Sequence, residues 1–231
     1  MAKSKVTQAA PAEQSLNKQE AIFVKYRKQI IAAVLAAIVI IAGVIVYKNF
    51  ISAPRENKAS TALAKAQEVF AQEDYTKALN GDKTAEGFLA ISENYGGTDA
   101  ANLARAYAGL CYAKMGKWSD AVKYLEDFST QGDALISPAI TAALGNAYAN
   151  TGDVDKAIST LKKAADMANS EAPDGVNTSI APTFLIQAAR LLESKNKNDE
   201  ALKIYKSIKE KYINSAAAQD IDKYIERLEN K

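Results

Sequence analysis

The residues able to do chemistry form a narrow set in this chain. It has no histidine among its 231 positions, which removes the commonest general base and metal ligand. Nucleophile–base dyads built on imidazole are therefore excluded. The single cysteine, Cys111, can form neither a Cys-x-x-Cys site nor an intramolecular disulfide. Set between Leu110 and Tyr112, it reads as a small packing residue. Adjacent carboxylates such as Glu126 and Asp127 point to different helix faces and do not make an acid–base pair. Gly96-Gly97 in NYGGTDAAN resembles a phosphate loop, but no Lys-Ser/Thr ending and no preceding strand accompany it. It reads as a helix-to-helix turn. No catalytic, cofactor-binding or metal-binding constellation is expected, and the chain reads as a non-enzyme.

Spacing carries the information instead. Residues 145–164, GNAYANTGDVDKAISTLKKA, place Gly145, Tyr148, Gly152, Ala157 and Leu161 at the offsets that Gly109, Tyr112, Gly116, Ala121 and Leu125 occupy 36 residues earlier. Five matches in one register define an internal repeat. Gly145 and Tyr148 lie three apart and share a helix face, where a residue without a side chain admits a close neighbour. Gly152 is expected to end that helix in the left-handed cap conformation. Asp153 then opens the next helix as N-cap or first-turn acid, with Ala157 and Leu161 on its inner face. A third copy, shifted by 44, sets Ala189, Leu192, Asn196, Ala201 and Tyr205 on the same positions. Asn is an acceptable left-handed cap, and the Pro/Gly/Asn-rich NSEAPDGVNTSIAP absorbs the surplus as a loop. At the front Ala85 and Leu89 fall in frame, with the partner helix displaced to about residues 54–72. Ser215 is expected to cap a terminal helix whose charged outer positions suit the end of a stacked array.

The unit is an antiparallel helix pair of roughly 34 residues. Its Gly-Tyr-Gly-Ala pattern resembles the tetratricopeptide-repeat family, with Arg105 and Thr141 where that family usually has Trp. The fold expected is all-α, a helical solenoid over residues 54–231. Its best repeats cover about 102–135 and 138–171, degenerate ones about 55–98 and 182–215, and a terminal helix 215–230. The resemblance implies that the first helix of each pair lines a concave docking groove. Tyr107, Leu110, Asn146, Asn150 and Arg190 would be its partner-binding positions.

The N-terminal part has another character. Residues 29–47, QIIAAVLAAIVIIAGVIVY, carry no charge. As a helix, Ile30 to Tyr47 would span roughly 27 Å, close to the hydrocarbon thickness of a bilayer. The apolar region of a cleaved signal peptide covers only about 7–15 residues after a short basic stretch. Here 29 residues precede the run, and ISA at 51–53 is a poor cleavage site. A single retained transmembrane helix is expected over 30–51, after a basic cytoplasmic tail at 1–29. Pro54 would then start a new helix, with Ser52 as a possible cap. Lys25, Arg27 and Lys28 abut the run and bias the N-terminus toward the cytoplasm, which sets the repeat domain across the membrane. The tail carries six basic and two acidic residues, whereas 23 basic and 25 acidic follow from residue 48 onward. A near-neutral, mixed-sign domain argues against nucleic acid as a partner. Ala32, Ala33, Ala36 and Ala37 form small-xxx-small pairs that would let the anchor pack against another helix; the alternative is a plain tether.

An anchor followed by degenerate repeats, together with ALNGDKTAEGFLAISENYGGTDAANLARAYAGLCYAKMGKW and AAAQDIDKYIERLENK, is similar to the ancillary Sec-translocon subunit family of the YfgM type, in its Bacteroidetes-like form. That resemblance implies a single-pass inner-membrane protein with a periplasmic repeat domain, a scaffold linking secreted proteins to periplasmic chaperones. The partners implied are translocon subunits, chaperones or nascent secreted chains, with membrane lipid met through the anchor and no small-molecule substrate or cofactor. The alternative is a structural coordinator of a cell-envelope or cell-division complex.

Overall fold

The computed structural model describes residues 11–230, with side chains from Lys25 onward, so the first ten residues of the expected tail lie outside the described residues. Two compact units divide the chain, Met1–Pro54 and Arg55–Lys231. No strand occurs among the described residues; one isolated bridge joins Gly81 and Glu86.

The first unit is built on α1, Pro11–Tyr47, followed by a π-helical stretch, Lys48–Ser52. The helix thus starts well ahead of the apolar run. Pro11 is tolerated in the first turn because its missing N–H would be unpaired there anyway. The Ala, Glu, Gln and Lys that follow are strong helix formers. Along the apolar run the side chains cover nothing: Val39 is 70% exposed and Ile40 66%. A soluble core helix would hide one face, whereas α1 is long and apolar enough to cross a membrane. Ser52 does not act as a cap. Backbone angles stay helical at Tyr47 and Ala53, on both sides of the π stretch, so no helix end exists there for a hydroxyl to satisfy.

The second unit takes in α2 (Ala53–Ala71), α3 (Tyr75–Asn80) and α4 (Phe88–Asn94). Three helix pairs follow. They are α5 and α6 (Asp99–Lys114, Trp118–Glu126), α7 and α8 (Ile136–Asn150, Val154–Ser170), and α9 and α10 (Ala181–Ser194, Asn198–Lys211). A 3₁₀ turn, Ala216–Asp220, and α11, Ile221–Glu229, close the array.

Each pair turns the same way. The N–H groups of Lys117, Asp153 and Lys197 donate to the carbonyls of Tyr112, Tyr148 and Leu192, all at 2.9 Å. Such six-to-one closure needs a left-handed residue just before the donor. Gly116, Gly152 and Asn196 supply it at φ 73, 89 and 59°. Inside the pairs, Gly109 and Gly145 set the distance between helices. A Cβ on Gly109 would lie 2.6 Å from Leu125 Cγ, and one on Gly145 2.8 Å from Leu161 Cγ. The repeated glycine and the repeated leucine are therefore two halves of one contact.

Two local expectations are corrected. Asp153 occupies the N-cap position of α8 but makes no capping bond, because its carboxylate turns to Lys156 at 3.2 Å. Ala85 sits in a loop, not a helix. Asp82 gathers the N–H groups of Thr84 and Ala85, and Gly81 approaches Gly87 too closely for any side chain at either position. The helix starts only at Phe88. Ser215 caps as expected, accepting from the Ala218 N–H at 3.1 Å, although it opens the 3₁₀ turn ahead of α11.

The core runs as three successive clusters, from α2–α5, through α5–α7, to α7–α11. Packing of each element on its sequence neighbours is the mark of a repeat solenoid. Cys111 belongs to the first cluster, fully buried, and burial pushes its thiol up to about 12.

Candidate protein-binding surface

The first helices of the three pairs, α5, α7 and α9, carry the five expected partner-binding positions. Tyr107 is half-buried. Its ring stacks on Phe88 with centroids 5.0 Å apart and meets Phe70 edge-on at 5.2 Å, so packing fixes one side of it. Tyr107 also lines, with Leu103 and Leu110, an apolar hollow of about 180 Å³ closed by Leu135, Ile136 and Ile140. Leu135 is 59% exposed and Ile136 51%.

That exposure follows from the local sequence. Asp133 accepts from the N–H groups of Leu135, Ile136 and Ser137, while the Ser137 hydroxyl donates back to it at 2.6 Å. An acid gathering the first N–H groups of a helix is stabilised by the helix dipole. Asn177 also donates to the Ala134 carbonyl at 2.9 Å. The start of α7 is thus held by its backbone, leaving the two apolar side chains uncovered.

The remaining positions lie elsewhere. Asn146 is half-buried, and its carbonyl accepts from the Asn150 side-chain amide at 2.8 Å. Asn150 is exposed and borders a hollow of about 420 Å³ with Gly116, Lys117 and Trp118. Arg190 lies against the last helix: its Nη2 donates to the Tyr224 hydroxyl at 2.5 Å, and its guanidinium sits 5.3 Å over the Tyr224 ring. Tyr107 and Leu110 share one hollow, and the other three positions do not join it.

Two buried phenols tie neighbouring helices together. Tyr148 donates to Glu126, and Tyr205 donates to Glu193 at 2.7 Å. Burial first, and the carboxylate second, pushes the Tyr148 hydroxyl up to about 12 and raises that of Tyr205 as well. Both remain donors at neutral pH. Among the described residues no group of three His, Cys, Asp or Glu side chains comes together as a metal ion would need.

Sequence reasoning missed Leu135 and Ile136, although an apolar pair directly after the polar stretch STQGDA was visible. It also missed Gln187 and Tyr224. Gln187 stands three residues before Arg190 and shares its helix face, but Tyr224 arrives from a helix whose docking no spacing rule gives.

No curated protein matches the chain. A family model described as "T7SS, ESX-1 secretion system protein EccA1, N-terminal domain" matches residues 23–222, which takes in the apolar half of α1 and the whole run from α2 to α10. This is a secretion-system family, though not the Sec-translocon family that the sequence resembles. With 200 of 231 residues inside the match, the chain belongs to the family of the N-terminal domain of the T7SS, ESX-1 secretion system protein EccA1.

Proposed function

We propose that this chain is a non-catalytic, membrane-anchored scaffold for protein–protein interaction, an ancillary subunit of the Sec translocon that links secreted proteins to periplasmic chaperones. The observation that carries the binding reading is the apolar hollow between α5 and α7. Leu135 and Ile136 stand more than half exposed beside Leu110 and Tyr107. Uncovered apolar side chains grouped on one surface mark a place where another protein docks. Leu110 lines that hollow, and Asn146, Asn150 and Arg190 lie outside it as separate positions on α7 and α9.

The membrane part of the proposal is supported by the exposed apolar side chains of α1 and by the basic residues that precede them. The charge rule favours a cytoplasmic N-terminus with the repeat domain on the opposite side, and the resemblance to the Sec-translocon subunit family suggests that this side is the periplasm of a bacterial inner membrane. The absence of histidine supports a non-catalytic role.

The family match favours a second reading, in which the scaffold serves a secretion machine of the kind named in the family description. Affinity purification of the full-length protein from gently solubilised membranes separates the two. Translocon subunits with periplasmic chaperones are the expected co-eluting proteins. Components of another secretion system would establish the second reading, and cell-division or envelope-assembly proteins alone would refute both.

A further inference from the structure

A hollow of about 730 Å³ opens near the start of the second unit, between α2, the Asp82 loop and α4. That is the size of a small-molecule site. Lys58 and Lys65 line it from α2, and Lys83 lines it from the loop. Lys58, Ala62 and Lys65 follow one another at helical spacing, so a single face of α2 carries both lysines to the hollow. All three lysines are exposed, and none lies within ion-pair distance of a carboxylate among the described residues.

Two acids share the wall, and both are engaged. Asp82 pairs with Lys77 at 2.9 Å and accepts from the Thr84 N–H and hydroxyl and from the Ala85 N–H. Each oxygen of Glu86 accepts one hydrogen bond at 3.0 Å, from the Asn94 amide and the Tyr95 hydroxyl. With Lys77 offsetting Asp82, three ammonium groups face one carboxylate, and the hollow holds an excess of positive charge. The threonine hydroxyls of the wall are spent as donors, Thr61 on the Asn57 carbonyl at 2.8 Å and Thr84 on Asp82 at 2.6 Å. The ammonium groups are the charged donors left for a ligand.

A lysine meets phosphate as a point charge with three donors, whereas planar carboxylates favour the arginine fork, and no arginine lines this hollow. Lys58 and Lys65 stand two helical turns apart, about 10 Å along the axis. One phosphate group is small for both, and two joined groups suit them better. Ala62, Ala85 and Ala90 are the only aliphatic residues in the wall, which leaves no slot for an acyl chain. We propose that this hollow binds a small soluble molecule through a diphosphate group, held by Lys58, Lys65 and Lys83. The ligand is bound and not converted; the inference goes beyond the scaffold reading and does not depend on it.

Isothermal titration calorimetry with inorganic pyrophosphate, free of divalent cations, tests it on the full-length protein in phosphatidylcholine nanodiscs. One saturable site with Kd below about 1 mM is expected at about 0.15 M salt. Orthophosphate and citrate should each bind about threefold or more weakly. Lys58→Gln, Lys65→Gln and Lys83→Gln should each weaken pyrophosphate binding about threefold or more, whereas Lys163→Gln on α8 should not. Thermal unfolding should stay unchanged in all four variants. No saturable binding below about 1 mM overturns the proposal, as does orthophosphate or citrate binding as tightly, or equal weakening by Lys163→Gln. Nanodiscs of phosphatidylglycerol separate the sources of phosphate. Undiminished pyrophosphate binding there supports the soluble ligand, and its loss would assign the hollow to lipid headgroups and overturn the proposal. Recovery of protein partners by affinity purification reports on the scaffold separately.

Discussion

Replacing Gly109 with alanine probes the contact on which the repeat depends. The new Cβ would lie 2.6 Å from Leu125 Cγ, 2.9 Å from its Cδ2 and 3.1 Å from its backbone nitrogen. Ordinary contact begins near 3.4 Å, so Leu125 must retreat by about 0.8 Å. It cannot do so freely, being 2% exposed and packed in the cluster that joins α5, α6 and α7. Overpacking of this kind costs about 1–3 kcal/mol. Alanine returns about 0.5–1 kcal/mol through its better helix propensity. Taking the middle of each range, the net expectation is a loss of about 1 kcal/mol, a fall of roughly 2–4 °C in Tm for a domain of this size. Circular dichroism melts of the full-length protein measure it. Leu125→Ala alone should cost about 2–5 kcal/mol. The double variant should lose clearly less than the sum, because the truncated side chain makes room for the new methyl. Gly145→Ala should shift Tm in the same direction by less, since its nearest contact is 2.8 Å. A Gly109→Ala variant as stable as the parent, or strict additivity with Leu125→Ala, would refute the close-approach explanation of the repeated glycine.

Three further outcomes are expected. The Tyr148 phenol, pushed up to about 12, stabilises the folded protein in full below the ordinary value of 10 and loses that contribution as pH rises through 12. Ultraviolet titration should show late phenols, one of which Tyr148→Phe removes and another Tyr205→Phe, and a Tyr148 titrating with the exposed tyrosines would contradict the buried pairing. Cys111, fully buried and with its thiol raised to about 12, should react with a thiol reagent only after denaturation; fast modification of the native protein would show that the α5 core opens. Protease added to spheroplasts should digest the protein after residue 53, and full protection of the repeat domain would reverse the proposed topology.

The sequence pattern predicted what repeats and missed what occurs once. Gly116, Gly152 and Asn196 could be placed as left-handed caps because helix ends are local events governed by backbone sterics. The Gly109–Leu125 and Gly145–Leu161 contacts recur at one offset, which made the inner faces readable from spacing alone. The front of the domain escaped that reasoning. There α3 and the Asp82 loop interrupt the expected pair, and a six-residue helix gives too little periodicity to detect. Arg190 was singled out by repeat position, but its partner Tyr224 lies 34 residues away on α11. Asp133 carries no repeat signal; its three backbone acceptances, which hold Leu135 and Ile136 outward, depend on loop geometry that residue types alone do not give.

Site-specific photocrosslinking in living cells tests the scaffold reading most directly. Photoreactive residues at Ile136 and Asn150, both exposed on the start and end of α7, are compared with one at Asp166, exposed on α8. The account predicts that Ile136 and Asn150 capture the same secretion-machine or client polypeptides that co-purify with the protein, and that Asp166 does not. Capture of those polypeptides equally from Asp166, or no adduct from either α7 position, would contradict it.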